Sequence, residues 1–144
     1  MNRAGLNKLF KQHKKDAENL FGEKLPIEFG VGEKAIFPKP RNIAVSQLFP
    51  DGRARILFAP KFKMLNNSMA KAVLRHEFGH ALTHIFGVTF LSEQLGENLD
   101  MYYTEPRADR IGELIWNEPI FYDYYFLIQN HSSGHRPRPL SLPQ

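Results

Sequence analysis

The run His76-Glu77-Phe78-Gly79-His80 places two histidines four residues apart around a glutamate. On a helix, residues i and i+4 lie one turn apart on one face, so both imidazoles can reach a single metal ion. Zinc suits such a set. It takes imidazole and carboxylate ligands, and in catalytic sites it keeps a fourth position open. Glu77 follows His76 by about 100° around the helix. From the side of the ligand face its carboxylate can take a proton from a metal-bound water.

A third ligand is needed, and Thr104-Glu105-Pro106-Arg107-Ala108-Asp109-Arg110 offers two carboxylates, Glu105 and Asp109, again at i and i+4. One of them can bind the metal while the other accepts the free ring N–H of a ligand histidine, fixing its tautomer and orientation. The competing reading is a solvated acidic pair balanced by Arg107 and Arg110. His84 extends the histidine row, but its Cα lies about 12 Å along the helix axis from His76. That is too far for the same ion, so His84 is read as a supporting or surface residue. Thr83 and Phe86 stand where a metzincin pattern needs Gly and His, which excludes that class.

These residues need a helix to carry them, and the spacing predicts one over 68–87. Asn66, Asn67 and Ser68 offer N-caps, and Gly87 marks the end. Leu74, Phe78, Ala81 and Ile85 fall opposite the histidines, so one side of the helix is expected in a core and the other on a cleft. A glycine inside a helix costs about 1 kcal/mol against alanine, so Gly79 suggests that another backbone passes close.

The elements around that helix follow from local pattern. Residues 3–21 read as an amphipathic helix on Leu6, Leu9, Phe10, Ala17, Leu20 and Phe21, stopped by Gly22. Leu25–Val31 and Ala35–Phe37 read as short strands. Asn42–Phe49 and Arg53–Ala59 flank Pro50-Asp51-Gly52, a hairpin signal. Alternation of Ala54, Ile56 and Phe58 with Arg53, Arg55 and Leu57 marks Arg53–Ala59 as the edge strand lining the cleft. Lys61–Asn67 reads as a loop, and 88–103 carries no clear pattern. Pro106 suits a helix first turn over 106–117 and puts Glu105 at its very start, with a bias to extended backbone. A last aromatic helix is expected over 119–130, with a disordered tail over 131–144. The fold class is α+β in a single domain, 1–130, with a small, mostly antiparallel sheet.

The 144 residues suffice for one domain with a real core. With no cysteine, disulfide scaffolds, thiolate metal sites and cysteine nucleophiles are excluded, so any metal must be held by His, Asp and Glu. Hydrophobic residues at 42% and charged residues at 24% are ordinary globular composition and rule out wholesale disorder. The net charge of +4 leaves nucleic acid as a secondary possibility. Solubilising charge is the preferred reading, because Lys8, Lys11, Lys14 and Lys15 form the main basic cluster and fit the wet face of a helix. No apolar run approaches a membrane span, and the N-terminal stretch does not resemble a signal peptide, so the expected location is cytoplasmic, or released if the chain is part of a toxin-like system.

Taken together, HEFGH and EPRAD resemble the gluzincin zinc metallopeptidases, which carry HExxH and a downstream ExxxD, often ExxAD. The resemblance covers two short segments between 76 and 109. It implies a zincin-like fold of minimal single-domain form, with Zn2+ bound by His76, His80 and Glu105. It further implies that Glu77 is the catalytic base, that Asp109 orients a ligand histidine, and that an edge strand takes an extended peptide or protein substrate. A donor to the developing oxyanion is implied as well. Tyr103, Tyr122 and His131 are the first candidates, and Tyr102, Tyr124 and Tyr125 are also possible. The expected activity is zinc-dependent peptide-bond hydrolysis. The alternatives are a non-catalytic zincin-like binding or regulatory module and a toxin-type peptidase domain, released from a larger protein. A binding module has no need of Glu77, which favours the enzyme.

Overall fold

The computed structural model describes residues 1–33, 37 and 42–120. The chain is α+β, with four α-helices and a small three-stranded sheet among the described residues. Helix α1 spans Arg3–Phe21, capped by Asn2, whose side chain accepts from the Gly5 N–H, and closed by Gly22 in the left-handed region at φ 73°. Strands β1 (Ile27–Val31), β2 (Ala44–Leu48) and β3 (Ala54–Phe58) follow. A 3-10 turn over Pro60–Met64, where a loop is expected, leads into α2 (Asn67–Phe86), whose N-cap is Asn66. The stretch without clear pattern contains α3 (Val88–Leu95) and a 3-10 turn, Leu99–Met101. Helix α4 spans Thr104–Trp116. Most of Ala35–Phe37 and nearly all of 119–130, together with the tail, lie outside the described residues. No described helix is long and apolar enough to cross a membrane.

The sheet order is β1-β3-β2, with β1 parallel and β2 antiparallel to β3. Two expectations are thereby corrected. The sheet is mixed, and Arg53–Ala59 is not an edge strand, because β3 lies in the centre, paired on both sides. The physical reason is burial. Ala54, Ile56 and Phe58 face the helices, while Leu57 is covered on the other face by Phe37 and Ala59, and a strand buried on both faces belongs inside a sheet. Among the described residues, the more polar β2, with Ser46 and Gln47, is an edge strand of the sheet.

Helix α2 is the spine of the core. Phe78 stacks on Phe10 of α1 with ring centroids 5.6 Å apart, and Phe10 meets Phe29 of β1 at 5.4 Å. Every residue from Ala72 to Gly79 is buried, so the helix does not divide into a core side and an open side as its hydrophobic pattern suggests. Helix α4 covers the histidine side. The two helices meet backbone to backbone. A Cβ on Gly79 would press on the Ala108 carbonyl and stand 2.6 Å from the Ala108 Cα, and one on Gly112 would stand 2.9 Å from the Arg75 carbonyl oxygen.

Candidate metal centre

Close approach of α2 and α4 brings three side chains to one point. His76 Nε2 and His80 Nε2 are 3.2 Å apart, and each lies 3.1 Å from Glu105 Oε1. Ligand atoms held about 2.0–2.1 Å from a tetrahedral zinc lie about 3.3 Å from one another, so this near-equilateral triangle has the size of three corners of such a site. Glu105 sits in the first turn of α4, within helical backbone despite Pro106. Its side chain is 67% exposed, whereas those of His76 and Glu77 are 5% exposed.

Asp109 lies one turn further along α4 and is fully buried. Its Oδ1 accepts from Nδ1–H of His76 at 2.6 Å. That bond fixes a ring proton on Nδ1 and turns Nε2 toward the triangle, where it can offer a lone pair to a metal. Burial disfavours a charged His76, but the hydrogen bonds to Asp109 and Glu105 outweigh it and hold this imidazole well above the usual histidine range. Hydrogen bonds with His76 and His80 hold the Glu105 carboxyl well below the usual carboxylate range. The local field favours positive charge at the triangle, and two imidazoles with one carboxylate could hold a metal ion, a donor set that zinc accepts without being the only metal to do so.

Glu77 sits beside the triangle, with Oε2 4.0 Å from His76 Nε2. Its other oxygen, Oε1, is 2.8 Å from the hydroxyl of Ser46, which is also 3.0 Å from the Glu77 carbonyl oxygen. A cleft of about 300 Å³ opens between β2 and these side chains, with Ser46 and Leu48 on one wall and His76, His80 and Glu105 on the other. The sequence reading did not single out Ser46. The available signal was a polar residue at an inward position of a strand, between Ala44 and Leu48.

Other expectations resolve differently. Arg107 and Arg110 do not balance Glu105 and Asp109. Arg107 donates to the carbonyls of Leu99 and Tyr102, and Arg110 makes two 2.7 Å bonds to Glu97, so both arginines pin the 97–102 segment to α4. His84 Nε2 bonds the Phe49 carbonyl at 2.7 Å in the β2–β3 turn, apart from the triangle. The Tyr102 hydroxyl donates to Glu97, and burial together with that carboxylate pushes its pKa up to about 12. Tyr103 is 83% exposed at the N-cap of α4. Tyr122, Tyr124, Tyr125 and His131 lie outside the described residues.

Compared with protein-family models, with curated proteins and with solved structures, the chain gives no match.

Proposed function

We propose that this chain is a zinc-dependent metallopeptidase of gluzincin type, with a zincin-like arrangement of sheet and helices. The observation that carries the reading is the triangle of His76 Nε2, His80 Nε2 and Glu105 Oε1, buttressed by Asp109 and flanked by the Glu77 carboxylate. Atoms packed this tightly need positive charge among them, a proton on an imidazole or a bound cation.

A zinc ion held there supplies Lewis acidity, polarising a scissile carbonyl and acidifying a water. The chain's own residues do the rest. Asp109 keeps His76 in the tautomer that presents Nε2. Glu77, whose Oε2 faces the triangle, takes the proton of the attacking water and passes it to the leaving amine. The substrate lies along β2. In the flanking positions Ile43 accepts from the Ala59 N–H and Phe49 donates to the Arg53 carbonyl, a register that directs the N–H and C=O groups of Val45 and Gln47 toward β3. Ala44, Ser46 and Leu48 therefore turn their N–H and C=O groups to the open edge, where an extended peptide can add as a strand.

Elemental analysis of protein expressed with added zinc tests the reading, together with cleavage of a mixed peptide library. About one zinc per chain and cleavage abolished by a chelator are expected. Zinc near zero, or a zinc-loaded protein that cleaves nothing, overturns it.

A further inference from the structure

Among the described residues, Ser46 joins a side chain that touches the proposed base to a backbone that faces the proposed substrate edge. Its hydroxyl carries a single proton and has two acceptors on one residue, Glu77 Oε1 at 2.8 Å and the Glu77 carbonyl at 3.0 Å. A carboxylate oxygen is a stronger acceptor than a peptide carbonyl. A bond there clamps Oε1 and leaves Oε2 as the oxygen turned to His76, 4.0 Å away. The carbonyl lets the hydroxyl release and recapture Oε1 without going unpaired in a half-buried place. Strand geometry joins the two roles, since the side chain stands off the sheet toward α2 while the N–H and C=O lie in the sheet plane at its open edge.

We propose that Ser46 is a positioning residue for Glu77, aiming one carboxylate oxygen at the metal candidates and coupling that aim to pairing of an extended chain along β2. Its consequence for catalysis rests on the metallopeptidase reading above. The geometry of Glu77 does not, and it can be read separately.

The test compares wild type, Ser46→Ala and Ser46→Thr as zinc-loaded full chains, by crystal structure and by peptide kinetics. In Ser46→Ala the Glu77 carboxylate is expected to leave its position, with zinc content unchanged. In that variant kcat should fall about tenfold, the scale of one hydrogen bond to a charged group, with KM within about twofold. Ser46→Thr keeps the hydroxyl and is expected to restore both the carboxylate position and most of kcat. A residue that only satisfied a buried polar atom would lower stability without this split between kcat and KM. A carboxylate unmoved in Ser46→Ala overturns the inference whatever the activity, as does a displaced carboxylate with unchanged kcat. A wild type that hydrolyses no peptide overturns the peptidase reading and the coupling to substrate, while the carboxylate position still decides whether Ser46 aims Glu77.

Discussion

Gly79 of α2 lies directly against Ala108 of α4, so close that a Cβ would stand 2.6 Å from the Ala108 Cα. That contact sets how near the two helices come, and so whether Glu105 on one can meet His76 and His80 on the other. The glycine, unfavourable for its own helix, is where the candidate centre is assembled.

Gly79→Ala should therefore do two things. The added methyl forces the helices apart, costing about 1–3 kcal/mol as overpacking does. It should also weaken zinc binding, because Glu105 retreats from both imidazoles. Denaturant unfolding and a competitive zinc titration measure the two effects. Loss of stability with native zinc affinity would separate the packing contact from the centre.

Glu105→Ala and Asp109→Ala should differ in kind. Glu105 Oε1 lies between both Nε2 atoms, whereas Asp109 touches His76 from behind. Removing Glu105 should abolish tight zinc binding. Removing Asp109 should weaken it about 10–100-fold and also destabilise the fold, since it leaves the buried Nδ1–H of His76 without its acceptor. Isothermal titration decides the order, and the reverse order would make Asp109 the ligand.

For Glu77→Gln, zinc content and thermal stability should stay close to wild type, because the substitution keeps size and the hydrogen bond from Ser46. Hydrolysis should fall about 10²–10⁴-fold, the usual cost of losing a general base. A variant with native turnover would remove Glu77 from the chemistry.

Acid sensitivity should trace in part to His13, buried between α1, α2 and α4. Burial is the main cause that lowers its pKa to about 4, and nearby Arg75 and Lys71 add to it against the Leu9 carbonyl and Asp16. Its Nδ1–H donates to the Leu9 carbonyl, and its Nε2 accepts from Arg75 Nε, so the native ring is neutral. Between the unfolded value of 6.5 and about 4 the unfolded chain binds more protons. This contribution is thus complete above the unfolded pKa and is lost as pH falls through that window, by about 3 kcal/mol at most. His13→Gln keeps a donor and an acceptor without titrating. Its unfolding free energy should fall less than that of wild type between neutral pH and pH about 4, and parallel curves would exclude His13.

The extents of α1 and α2, and the residues that meet at the candidate centre, were already legible in the sequence, whereas α3 was not. The apolar spacing of 3–21 coincides with α1, and the expected 68–87 differs from α2 by one residue at each end. Asn66 caps as its type suggests, and Pro50-Asp51-Gly52 turns the hairpin. His76, His80 and Glu105 meet, with Asp109 and Glu77 around them. The helix, cap, turn and i, i+4 features depend on residues a few positions apart, whose relative placement the backbone's own periodicity dictates, whereas the pairing of Glu105 and Asp109 with the histidines 25 to 33 positions away was expected from the family resemblance alone.

Pairing across the chain lies beyond that reach. Which face of α2 is covered depends on α4 packing over the histidines. Alternation in Arg53–Ala59 describes the faces of a strand but says nothing of its two hydrogen-bonding edges, and β1 returning in parallel made that strand central and left β2 at the edge of the described sheet. Arg107 and Arg110 turned from the neighbouring carboxylates to the 97–102 segment. Ser46 meets Glu77 across 31 positions of sequence. Each of these is a contact between distant segments, whose partners are selected only when the whole core packs, so tertiary structure alone decided them.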